Sequence, residues 1–94
     1  MKRGLLCDAI RDRRIVLITY DGSVRKVEPH LLGYSTKGNL TLSAWQLSGG
    51  TSTGWKDFVC AKIINVVSSN EVFAGPRPDF NPRDRTMREI ICRL

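Results

Sequence analysis

Ile15-Val16-Leu17-Ile18-Thr19-Tyr20-Asp21-Gly22-Ser23-Val24-Arg25-Lys26-Val27-Glu28-Pro29 is the stretch that decides the fold. Residues 15–20 are apolar and mostly β-branched, the composition of a strand. Asp21-Gly22 is a strong hairpin dipeptide, because both residues tolerate the positive φ that a tight turn demands. Residues 23–28 form the return strand. Pro29 has no N–H to give to a ladder, so pairing must stop or bulge there.

The same reading extends downstream. Residues 30–35 resume an extended path, 36–39 make a turn, and 40–45 alternate apolar with small polar residues as a half-buried strand does. Residues 48–54, all Gly, Ser or Thr, form a flexible loop between Trp45 and Trp55. Residues 58–63 are another strand, and the apolar run continues to Val67. Ser68-Ser69-Asn70 reads as a turn before a last short strand at 71–73. Upstream, Leu5, Leu6, Ala9 and Ile10 have helical spacing, which predicts a short amphipathic helix over 3–12. Residues 74–82 contain three prolines and cannot be regular helix or central strand. Phe80 in that tail is expected to tether it to the body. At 84–94, Met87, Ile90, Ile91 and Leu94 have helical spacing and favour a helix, while the alternation of Ile90, Cys92 and Leu94 fits a strand.

These elements predict a mainly β protein: a small SH3/Sm-like five-stranded barrel with a short N-terminal helix and a Pro-rich C-terminal extension. Closure would remove the exposed strand edges of so small a chain. The expected division is 1–73 for the barrel with its helix and 74–94 for the extension with a short helix or strand. At 94 residues the chain is one domain with a small core.

Composition narrows the function. Fifteen basic and nine acidic residues give +6, with the excess on the two ends of the chain. A basic surface attracts phosphates, though net charge speaks of partners and not of fold. The longest apolar run, residues 15–18, is far too short for a membrane. The N-terminus starts like a signal peptide but quickly meets Asp8, Arg11 and Asp12, so a cytoplasmic protein with no membrane association is expected. Cys7, Cys60 and Cys92 are odd in number and far apart, which argues against a disulfide framework and for a reducing compartment. With one histidine and no CxxC, no structural metal and no cofactor are expected. A nucleophilic Cys60 would have only His30 as its base, and no triad or carboxylate pair stands out, so no enzyme is expected.

The order of residues from the helix to Phe73 carries a resemblance. Arg25-x-Val27-x-Pro29-x-x-Leu32 is followed by Leu40-Thr41-Leu42-Ser43-Ala44, then Lys56-x-Phe58 and Lys62-Ile63. In this the chain resembles the WYL domain family over roughly residues 5–73, with a divergent namesake triplet: Leu40-Thr41-Leu42 stands where that family has Trp-Tyr-Leu. Lysines 56 and 62 stand where it has arginines, keeping the charge and losing the planar fork. The resemblance implies an Sm/SH3-like barrel of the kind found as a ligand-sensing module in bacterial transcription regulation. It implies a non-catalytic module that recognises a nucleotide or single-stranded nucleic acid. No helix-turn-helix precedes the barrel, so direct reading of DNA sequence is not expected.

The candidate ligand residues are Arg25, Lys56 and Lys62 as cations, Trp55 as a stacking platform and His30 as a phosphate donor or pH-sensitive group. Each has a plainer alternative. The lysines can be solvated strand charges, Trp45 and Trp55 can cap the core, and a lone histidine is more often structural. The rival function is a protein–protein adaptor or a self-associating Sm-like barrel that takes no nucleic acid.

Overall fold

The computed structural model describes residues 2–50 and 52–94; Thr51, in the predicted loop, lies outside them. Helix α1 spans Lys2–Asp12 and buries Leu6, Ala9 and Ile10 along one stripe. It ends at Arg13, which takes a left-handed conformation (φ 54°) while its N–H closes onto the Ile10 carbonyl. β1 (Arg14–Tyr20) and β2 (Ser23–Ser35) pair as the predicted hairpin, with Val16 opposite Val27 and Tyr20 opposite Ser23. Its turn residues Asp21 and Gly22 have φ of 50° and 78°, as a primed turn requires.

β2 organises the rest. Along one side, from Lys26 to Tyr34, it pairs with β3 (Leu40–Ser48). On the other side its first half takes β1, and its second half takes β6 (Met87–Arg93). The change of partner needs a bent strand, and the register shifts between Pro29 and Leu31, where proline was expected to disturb the ladder. β6 approaches so closely that a Cβ on Gly33 would collide with the Glu89 carbonyl oxygen. β4 (Gly54–Val59) pairs with β3, and after a 3-10 turn at Cys60–Lys62, β5 (Asn65–Val72) pairs with β1.

The six-stranded antiparallel sheet has the order β4-β3-β2-β1-β5, with β6 branching from β2. Four expectations are corrected. Among the described residues there are six strands, not five. The ladders do not close into a barrel among the described residues, since β4 and β5 remain the two ends. Residues 87–93 are strand, not helix, because the second half of β2 offers them an unpaired edge. Ser68-Ser69-Asn70 likewise lies inside β5, held by pairing to β1.

Directly paired residues share a sheet face. One face carries Val16, Ile18, Val27, Leu32, Leu42, Ala44 and Phe58, and α1 covers it with Leu6, Ala9 and Ile10. Burying each large apolar side chain in this layer stabilises the fold by about 1.5–3 kcal/mol. Cys7 of α1 is disulfide-bonded to Cys92 of β6, Cα atoms 5.8 Å apart. This overturns the expectation of unpaired cysteines: the fold brings together residues that parity and spacing gave no reason to join. Cys60 is the free cysteine and is buried. Burial pushes its thiol up to about 11, with Lys2 pulling weakly the other way, so it is inert at neutral pH.

Candidate functional site

Arg25 and Lys56 lie on the core face, just where the apolar layer runs out. Arg25 is paired with Ile18, and Lys56 with Ala44. The Arg25 guanidinium donates to the Ser23 hydroxyl (3.2 Å), the Gln46 side-chain oxygen (3.3 Å) and the Tyr20 carbonyl (3.3 Å). It also sits 5.6 Å and 5.9 Å from the ring centres of Tyr20 and Phe58, within cation–π range. All three acceptors are neutral. Gln46 is fully buried, and its Nε2 donates to the Ser52 carbonyl at 2.7 Å. Lys56 Nζ donates to the Ser52 hydroxyl at 2.8 Å. Arg25 and Lys56 are therefore tied to the same residue of the Gly/Ser loop, Arg25 through Gln46. Neither forms an ion pair among the described residues.

The other predicted residues are elsewhere. Lys62 lies in the 3-10 turn at the end of β4 away from the loop, exposed, with no contact joining it to Arg25 or Lys56. Trp55 is adjacent to Lys56 in β4, so it points to the opposite face. There its Nε1 donates to the Pro78 carbonyl at 2.9 Å and its ring meets Trp45 edge-on. His30 is fully buried on that same side, between the rings of Trp55, Phe73 and Phe80. Its Nδ1 lies 2.8 Å from the Glu28 carbonyl and so carries the proton, while Nε2 accepts from the Arg77 N–H at 3.1 Å. Burial pushes the imidazole below its ordinary pKa. The Glu28 carbonyl and carboxylate oppose this, and Arg77 adds to it. His30 and Trp55 are thus occupied in holding residues 73–80, and they do not join the cation pair.

Sequence reasoning missed Glu28 and Arg77. Glu28 is buried, and its carboxylate accepts two bonds from the Arg77 guanidinium at 2.7 and 2.9 Å. The available signal was an arginine between two prolines in a tail already known to carry the tether Phe80. A cavity of about 210 Å³ is lined by Ser43, Trp55, Phe80 and the carboxylates of Asp57, Asp79 and Asp84. Burial, and then Asp84, push the Asp57 carboxyl above its ordinary pKa. Among the described residues no group of three His, Cys, Asp or Glu side chains is placed to hold a metal ion. No helix is long and apolar enough to cross a membrane. Comparison with family models, curated proteins and solved structures found no match to this chain.

Proposed function

We propose that this chain is a non-catalytic module that binds a phosphate-bearing ligand, a nucleotide or single-stranded nucleic acid, at Arg25 and Lys56. The observation that carries this reading is the pairing of two cations, without carboxylate partners among the described residues, with one Gly/Ser loop through Gln46 and Ser52. A partly desolvated guanidinium held only by neutral acceptors keeps its charge available for an anion, and phosphate is the anion its fork fits best. The resemblance of Arg25-x-Val27-x-Pro29-x-x-Leu32 to the WYL family supports reading the chain as a ligand-sensing module, here on an open sheet. Lys62 belongs to this proposal only as a distant contributor to the field.

The test is fluorescence anisotropy with a labelled single-stranded oligonucleotide across a salt series of roughly 50–200 mM. Each phosphate contact contributes about −0.7 to the slope of log K against log salt for single strands. Arg25→Ala and Lys56→Ala should each flatten the slope by about that much. A slope that neither substitution alters counts against the site.

The adaptor reading keeps one observation of its own. Ile64, Val67 and Val72 are exposed on or beside β5, which is an end strand of the sheet. Exposed apolar edges favour pairing with another chain. Light scattering at high concentration tests it: a clean monomer removes self-association.

A further inference from the structure

The segment between β5 and β6 folds over the sheet face opposite Arg25 and Lys56 and grips it at two points. At the first, Arg77 forms the bidentate pair with Glu28 and places its guanidinium 5.2 Å from the centre of the Trp45 ring. At the second, the Phe80 ring lies 5.2 Å from His30 and 6.1 Å from Trp55, nearly parallel to the latter. Pro78 and Asp79 make the turn between them, with the Phe80 N–H donating to the Arg77 carbonyl at 3.2 Å and Asp79 at φ 69°. Proline followed by a positive-φ residue is the signature of a type II turn. Main-chain bonds add to the grip: His30 Nε2 accepts from the Arg77 N–H, and the Trp55 indole donates to the Pro78 carbonyl.

The two sides differ in burial. The Glu28 side chain is only 4% exposed and His30 is fully buried, whereas the Arg77 side chain is 39% exposed. A carboxylate this buried is costly without a cation beside it, and a pair whose other partner is exposed returns little stability for that cost. Glu28 is therefore poorly chosen as a mere fastening and well chosen as a recognition group for guanidinium. The hook it receives consists of two side chains and two main-chain bonds, and none of these contacts requires that the hook belong to the same chain.

We propose that the face formed by Glu28, His30, Trp45 and Trp55 is a docking groove for an Arg-Pro-x-Phe turn. Residues 77–80 hold it in cis, and the same hook on a partner polypeptide takes it when the cis copy is displaced. The tether gives the cis hook an effective concentration on the order of millimolar, so the intact chain blocks its own groove. This groove is independent of the cation pair, which lies on the other face of the sheet.

The test uses the full chain and a fluorescein-labelled peptide of residues 75–81, Gly-Pro-Arg-Pro-Asp-Phe-Asn. Arg77→Ala weakens the cis hook and should raise peptide affinity about ten-fold or more over the unaltered chain. The gain should vanish when Glu28→Gln is added, or when alanine replaces the peptide's arginine. A folded Arg77→Ala chain that does not bind the peptide, or that binds both peptides alike, overturns the proposal. The unaltered chain gives a readout that needs no variant. Excess peptide should speed amide exchange at residues 77 and 80 as the cis hook leaves, while the alanine peptide should not. Exchange left unchanged at millimolar peptide also overturns the proposal.

Discussion

Opening the Cys7–Cys92 bond should cost this protein a large part of its stability. The two cysteines are 85 residues apart, so the bond closes nearly the whole chain into a loop. In the chain-entropy model a loop of that length lowers the entropy of the unfolded state by about 15 cal/mol/K, or about 4.6 kcal/mol at 25 °C. A domain of this size is typically stable by only about 5–14 kcal/mol, so the loss is far from marginal. The bond also ties α1 to β6, whose Cys92 packs against the core cluster that Leu6, Ala9 and Ile10 of α1 help to form. The assay is urea unfolding followed by tryptophan fluorescence, with and without reductant, and with Cys92→Ser as the chemical control. Cys60 does not confuse the comparison, because it is buried and its thiol is pushed up to about 11. At a slope of about 1.5 kcal/mol/M the midpoint should fall by about 3 M on reduction, and Cys92→Ser should match it. Equal midpoints for oxidised and reduced protein would refute the reasoning, as would three free thiols in the protein purified without reductant.

Other substitutions test the fold and the His30 contacts. Phe58→Ala should destabilise by about 3–5 kcal/mol, since Phe58 is fully enclosed in the core layer; a loss under about 1 kcal/mol in thermal or urea unfolding would mean that the layer is packed differently. Gly33→Ala forces a Cβ against the Glu89 carbonyl, so amide exchange across β6 should accelerate while the β1–β2 hairpin stays protected. His30 is held neutral, facing Glu28 and Arg77, and its folded pKa lies below the unfolded value of about 6.5. Its contribution is therefore complete above that pH and is lost as pH falls through the lowered value. Because a second proton would set an N–H against the Arg77 N–H, the expected loss is about 1–3 kcal/mol. His30→Phe should flatten the stability profile between pH 7 and pH 5; a wild-type profile that rises on acidification contradicts the assignment.

The hairpin at Asp21-Gly22, the helix at the N-terminus and the disturbance at Pro29 were legible because each is local. Turn chemistry, helical spacing and a missing N–H act within a few residues. The features that escaped were decided at long range. The apolar residues of 87–94 satisfy helical and strand spacing alike, and only the free edge of β2 chooses between them. Cys7 and Cys92 meet because β6 docks beside α1, a consequence of that same pairing. Trp55 and Lys56 are neighbours in sequence and were read as one site, but strand alternation sends them to opposite faces. His30 stood as a candidate ligand group with a structural role as its plainer alternative; the structural role is the one found, and it depends in part on Arg77, 47 residues away. Glu28 carries no local sign of its role, because its partner Arg77 lies 49 residues away.

The functional reading rests on Arg25 and Lys56 acting together on one anion beside the Gly/Ser loop. Amide NMR of the labelled protein, titrated with a single-stranded oligonucleotide at low salt, tests this most directly. Shifts concentrated at Ser23, Arg25, Gln46, Ser52 and Lys56, with residues 77–80 left still, are the predicted result. Shifts that avoid those residues, or that gather around Lys62 or Trp55 instead, would contradict it.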